Sequence, residues 1–315
     1  MSVNLGERVS VTLRNYSDTI ADNITNHNAL LNRLMSKGQM MDDDSGGRNH
    51  AETLMYAENG MYKWYSGLES FNIVEEEVID TAEFERKYLG TFIYFSGKDK
   101  TENKGKHAIQ NLMKARTKVA VQTLKNQVAT SLYSDGTSSK QIGGLRLLVD
   151  DDPTSAGTVG GIDQAASTGA FWRNQYTSAT TLNTTTVRGL LNTRWLSCIR
   201  GADKPDLLLG DDDWYTAYEG SLQENIRYTT SKMADAGFEA IKFKSADFVY
   251  DDQCPDKRCY MLNTDYLSLK CPSDRKFTVG KNRTVTNADY DVVPIFFAGA
   301  LCTSNRSLQG VLIAS

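Results

Sequence analysis

Residues Thr158–Gln175 read TVGGIDQAASTGAFWRNQ, and the fold of the whole chain turns on how this stretch is understood. It follows neither the 3.6-residue period of a helix nor the alternation of a strand. Gly160 and Gly161 allow backbone conformations and close approaches that a Cβ blocks. Asp163 is a turn former that can accept from nearby N–H groups. Trp172 is a large apolar anchor whose indole N–H needs a partner, and Arg173 stands beside it. The same residues could cradle a phosphate and clamp a nucleotide, but a Gly-Gly pair without a G-x-x-x-x-G-K-[ST] loop is a weak phosphate signal.

Upstream lies the strongest helical pattern. Ile109, Met113, Val121, Leu124, Val128 and Leu132 recur at spacings of four or three, with Thr117 filling the missing step, which predicts one helix over 104–133. At about 1.5 Å per residue such a helix is a structural spine. Before it, Phe71–Val74 and Leu89–Phe95 are β-rich runs around an acidic middle, and they predict a two-stranded loop over 63–97. A two-stranded ribbon is marginal alone in water, so something else is expected to cover it. Near the N-terminus, Ile20, Ile24, Leu30, Leu31 and Leu34 space as a helix ended by Gly38, and MMDDDSGGRNH (40–50) then reads as a loop.

Downstream, IGGLRLLVDDDP (142–153) is an apolar run stopped by acids and Pro153. Val187, Leu190, Leu191, Trp195, Cys198 and Ile199 share one helix face, entered through threonines and closed by Gly201. Leu207–Leu209 reads as a buried strand feeding a capped helix with Tyr215, Tyr218, Leu222 and Ile226 inward. From Phe238 the chain turns to strands: FEAIKFKSADFVYD, CYMLNTDYLSLKC and DYDVVPIFFAGALCTSN. The class is α+β.

At 315 residues, 40% hydrophobic and 23% charged, the chain supports a sizeable core. A net charge of -4 does not suit a protein that grips nucleic acid. No run approaches the roughly 18 apolar residues of a membrane span, and the N-terminus lacks the apolar core of a secretory signal. Five cysteines make a poor disulfide framework. Cys254, Cys259 and Cys271 lack a fourth zinc ligand, because His27, His50 and His107 all lie far upstream. No G-x-S-x-G elbow is present, and no histidine follows residue 107 to serve as a base. Asp211-Asp212-Asp213 stands after a buried strand, where α/β enzymes place metal-holding acids. An Asp before a helix is also a favoured N-cap, and with no second acidic cluster the capping reading is preferred. No catalytic residue, metal or cofactor is expected.

Taken together, SGKDKTENKG (96–105), the long helix, IGGLRLLV (142–149), TVGGIDQAASTGAFWRNQ and PDLLLGDDDWYTAY (205–218) stand in the order seen in tailed-bacteriophage major capsid proteins. The chain resembles that family over roughly residues 50 to 300, and the G-G-I-D…W-R-N element with its upstream Gly-Leu run is the specific part. The resemblance implies a phage major-capsid-type fold: an N-terminal arm and lead-in over 1–62, the extended loop over 63–97, and a peripheral domain with spine helix and junction over 98–180. Most of an axial domain would occupy 181–235, with a β-rich return into the peripheral domain over 236–315. It also implies a strand at G-L-x-x-L-V. The function implied is a structural subunit forming pentamers and hexamers of an icosahedral head that encloses double-stranded DNA without sequence-specific binding. Scaffolding, portal and decoration proteins are implied partners, the virion the location, and the host bacterial cytoplasm the place of synthesis. An encapsulin-like compartment is the alternative, and a metal-dependent hydrolase using Asp211–Asp213 the remaining one. Gly160, Gly161, Asp163, Trp172 and Arg173 are expected where the two regions join, in or near a subunit contact.

A charge asymmetry adds an expectation independent of the family. Residues 63–95 hold seven acids and three bases, and residues 98–133 hold eight bases and two acids. Glu75, Glu76 and Glu77 of one subunit are expected to lie on Lys114, Arg116 and Lys118 of the next.

Overall fold

In the computed structural model, residues 28–43, 46–102, 106–155, 157–222, 240–284 and 286–315 are described. Asn28 caps α1 (Ala29–Ser36) by accepting from Leu31 N at 2.7 Å, the leucines of that helix turn inward, and Gly38 closes it at a φ of 73°. β1 (Met40–Asp42) and β2 (Asn49–Met55) follow, then β3 (Ile79–Glu85) and β4 (Lys87–Ser96). α2 (Gly97–Glu102) leads to the long helix α3 (Lys106–Ser131), and the four-residue turn α4 (Leu145–Leu148) comes next. β5 (Thr158–Val159) and β6 (Ile162–Asp163) precede β7 (Gln175–Thr180), α5 (Val187–Ser197), β8 (Leu207–Gly210) and α6 (Asp212–Ser221). The remaining strands are β9 (Ala240–Phe243), β10 (Ala246–Tyr250), β11 (Arg258–Leu262), β12 (Leu267–Cys271), β13 (Thr278–Val279), β14 (Arg283–Thr284), β15 (Tyr290–Thr303) and β16 (Gly310–Ala314).

Two six-stranded sheets organise these elements. One runs β1-β12-β15-β13, with β4 and β14 also paired to the long β15. The other runs β7-β16-β11-β8-β10-β9. Along the second sheet, alternate side chains go to opposite faces. Leu208, Phe248, Met261 and Leu312 pack with Trp195 of α5 and with Trp214 and Tyr218 of α6. Leu207, Leu209, Tyr260 and Val311 join a larger cluster that includes Leu269, Phe297 and Leu301 of the first sheet. Burial on both faces explains why Leu207–Leu209 is an unbroken apolar run. At about 1.5–3 kcal/mol per buried large apolar side chain, these faces dominate the stability. A third cluster sets Leu124 of α3 against Ile93 and Phe95 of β4 and Val293 and Ile295 of β15.

Several expectations change. The predicted hairpin over 63–97 is not the observed one: β2 pairs with β3, from Asn49↔Glu85 to Met55↔Ile79. Leu89–Phe95 lies in β4, antiparallel to β15 in the first sheet. The alternation of β4 suits it to a sheet with α3 on one face, whereas Phe71–Val74 has no strand partner among the described residues and is irregular. The implied G-L-x-x-L-V strand is the helical turn α4, since Gly144 lies tight against the backbone of Leu132 and Leu145 N donates to Leu132 O at 2.6 Å. The expected loop at 40–50 contains β1, parallel to β12, and the start of β2. The strands from residue 240 onward divide between the two sheets. β9–β11 and β16 stay in the sheet of β7 and β8, and β12–β15 build the other. Ile20, Ile24, Ile226 and the side chains of Ile109 and Met113 lie outside the described residues.

Candidate assembly surface

The segment 158–175 is an internal brace. Gly160 and Gly161 take φ of 64° and 85° between β5 and β6, positive values at both central positions as a tight type I′ hairpin requires. A Cβ on Gly160 would stand 2.9 Å from the Cβ of Ala82, and Gly160 O accepts from Glu83 N at 2.9 Å, so the tip presses on β3. Asp163 Oδ1 accepts from Ala165 N at 2.9 Å, the local turn its type suggests. Trp172 is 2% exposed in the cluster shared by the two sheets, and its Nε1 donates to Val159 O at 2.9 Å. Arg173 donates to the carbonyls of Gln164 (2.7 Å) and Ala165 (2.9 Å). The Trp172 indole N–H and the Arg173 guanidinium thus find their partners within their own chain.

A buried arginine that sequence reasoning missed holds this brace together. Arg306 is fully buried between β15 and β16. Its Nε donates to Leu148 O at 2.6 Å, both terminal nitrogens to Gln164 Oε1 at 3.0 Å, and Nη2 to Asn174 Oδ1 at 3.1 Å. Gln164 Nε2 donates in turn to Asp150 Oδ2 at 2.6 Å. Burial pushes the Arg306 guanidinium down to about 10, with the Asp150 charge opposing. The sequence shows only a polar Asn305-Arg306 pair between two apolar runs, with Gln164 and Asn174 more than a hundred residues away.

The surface left for a partner is elsewhere. Residues 56–78 project from the β2–β3 ribbon, and they leave Trp64 98%, Leu68 107% and Ile73 86% exposed. The loop is tied across itself: Glu76 accepts from Gly60 N at 2.7 Å, and Lys63 pairs with Glu69 at 3.0 Å and lies over the Phe71 ring. Glu76 is therefore engaged in its own loop, while the neighbouring Glu75 and Glu77 are exposed. Of the expected basic partners, Lys114 and Lys118 are exposed on α3. Arg116 is not available in the same way: it donates to Tyr94 O at 3.0 Å, approaches Asp99 at 3.7 Å and stacks near Tyr94 and Phe95, fastening α3 to β4. Tyr88, Phe92 and Tyr94 are also exposed along β4.

The acidic triplet behaves as a cap. Asp211 Oδ1 accepts from Trp214 N at 3.0 Å, and its other oxygen accepts from Lys257 N. Burial raises its pKa against those bonds. Asp212 and Asp213 are exposed, and no further Asp, Glu, His or Cys among the described residues joins the group. Cys198, Cys254, Cys259, Cys271 and Cys302 are all free and buried.

No protein-family model matches the sequence, and no curated protein matches it. Solved structures do. The capsid protein of cyanophage A-1(L) superposes with a TM-score of 0.73 at 16% identity, over 96% of each chain. That of Myoviridae phage XM1 gives 0.60 at 13% identity, over 96% of this chain and 97% of the other. The SrpI encapsulin of Synechococcus elongatus gives 0.60 at 10% identity, over 99% and 95%. The spine helix, the two sheets and the projecting ribbon together are the phage-capsid fold, which encapsulin shares.

Proposed function

We propose that the protein is a shell subunit, a structural major capsid protein that assembles with copies of itself into the icosahedral head of a tailed bacteriophage around double-stranded DNA. The observation that carries this reading is the loop of residues 56–78, which holds Trp64, Leu68 and Ile73 in water on a chain with this fold. Several large apolar side chains left exposed on one loop suggest an interaction site. A loop of one copy lying on the body of the next makes a heterologous contact, which closes into rings such as pentamers and hexamers. Glu75 and Glu77 lying over Lys114 and Lys118 of the next copy would orient that contact. The segment 158–175 supports it from beneath, by bracing β3 with Gly160. Scaffolding, portal and decoration proteins are further partners under this reading, the virion is its location, and the host cytoplasm is its site of synthesis. No catalytic role is assigned.

Electron microscopy of the expressed protein tests the proposal. Closed shells are expected; a compact monomer at every concentration and salt tried, with scaffold supplied, would contradict it. The likeness to an encapsulin favours a second reading, a compartment shell around a protein cargo. Double-stranded DNA in particles purified from their source supports the capsid, and a co-purified enzyme supports the compartment.

A further inference from the structure

We propose that His50 is a pH-sensitive latch that sets the direction of the β2–β3 ribbon: neutral, it bolts the ribbon base to its surroundings, and protonated, it pushes Arg86 away and lets the base swing. The His50 side chain is completely buried at the root of the ribbon. Its Nδ1 meets Asp43 Oδ2, and its Nε2 faces Arg86 Nε at 3.2 Å. Because an arginine only donates, Nε2 must be the acceptor and Nδ1 must carry the proton, donating to Asp43. Asp43 directly follows β1, which is anchored to β12. Arg86 is the single residue between β3 and β4, and its backbone N donates to Arg48 O at 3.0 Å to close the ribbon. His50 therefore joins the first sheet, the ribbon and the joint from which the ribbon turns.

Protonation of Nε2 sets an N–H against the N–H of Arg86 and places a buried cation beside a half-buried one, a costly arrangement. The other charges facing His50 do not offset this. Lys270 of β12 adds a third cation, itself paired to Glu52 of β2 at 2.8 Å. The thiols of Cys271 and Cys302 nearby are held neutral by burial. Among the described residues, Asp43 is the acid in contact that favours the imidazolium. Arg86 Nη2 is buried and finds no hydrogen-bond partner among the described residues, so this guanidinium is the weakly held piece that gives way. Burial, aided by Arg86 and Lys270, accordingly lowers the His50 pKa against the pull of Asp43. The folded chain then binds fewer protons than the unfolded one at this residue. The stability it contributes is present above the ordinary histidine value of about 6.5 and is lost as pH falls through the lowered folded value.

The consequence for assembly rests on the function proposed above, because the ribbon carries Trp64, Leu68 and Ile73 toward the next copy. The latch itself does not. Hydrogen–deuterium exchange of the purified full chain, corrected for intrinsic rates, reads peptides covering 48–56 and 79–88 at about pH 7.5 and about pH 5. Protection there is expected to fall about tenfold in acid, while peptides from β8 and β11 stay unchanged. His50→Gln, which cannot titrate, is expected to remove the pH dependence. Arg86→Met, which removes the cation in direct contact with the imidazole and leaves only Lys270, already paired to Glu52, should do so as well if the first variant folds poorly. Ribbon protection that is equal at the two pH values in the wild type overturns the latch, and so does pH dependence that persists in both variants. If shells never form yet the ribbon loosens in acid, the assembly reading fails and the latch stands.

Discussion

Trp172 carries its weight through both ends of its side chain. The ring fills the cluster between the sheets, and the indole N–H satisfies the carbonyl of Val159 at the mouth of the Gly160-Gly161 turn. Truncation to alanine removes a buried aromatic and leaves that carbonyl unpaired, at a cost of about 3–5 kcal/mol. Trp172→Ala should therefore shift chemical denaturation by that amount or yield little soluble protein, and an unchanged midpoint would refute the bracing role. The cysteines give a second, independent check. Burial pushes the Cys198 and Cys271 thiols up to about 12, and the other three thiols upward as well. Since the thiolate is the reactive form, native protein should not react with a thiol reagent near neutral pH until it is unfolded. Rapid labelling of any cysteine in the native state would contradict the packing. The need of Trp172 for a partner was legible in the sequence. The partner was not, and neither was Arg306, because its ligands Leu148, Gln164 and Asn174 are brought to it only by the tertiary fold.

The ribbon and the long helix divide what local pattern can and cannot reveal. α3 was legible because its apolar residues repeat over many turns, and α5 because its inward face is complete. α6 was legible in position, although Trp214, its most buried residue, went unnoticed behind the acids of its cap. The strand pairing of 49–96 was not legible. Leu89–Phe95 has the alternation of a strand, but its partner β15 lies some two hundred residues downstream. A short apolar run such as Leu145–Leu148 suits a strand or a helical turn equally, and Gly144 against Leu132 decides it. The electrostatic pairing belongs to these same elements. Exposed pairs contribute about 0–1 kcal/mol each and weaken with salt. Glu75→Lys with Glu77→Lys should slow assembly at low ionic strength, and Lys114→Glu with Lys118→Glu in that background should partly restore it. Light scattering that shows normal assembly of the first double variant at low salt would remove the pairing and leave the fold untouched.

Among the described residues, a filled body contrasts with the loop of residues 56–78. Two sheets share a core, helices cover the far face of one sheet, and α3 packs across the other at β4 and β15. Against that body, residues 56–78 satisfy a few of their own polar groups and leave their largest apolar side chains in water. Covering Trp64, Leu68 and Ile73 is worth about 1.5–3 kcal/mol per side chain, enough to matter when every subunit in a ring makes the same contact. A second copy is the occupant proposed above. Cryo-electron microscopy of particles formed by the purified chain tests this most directly. The account predicts closed icosahedral shells in which residues 56–78 of each subunit lie on its neighbour with Trp64 and Leu68 buried. Shells in which that loop still points into solvent, or a chain that stays monomeric under every assembly condition, would contradict it.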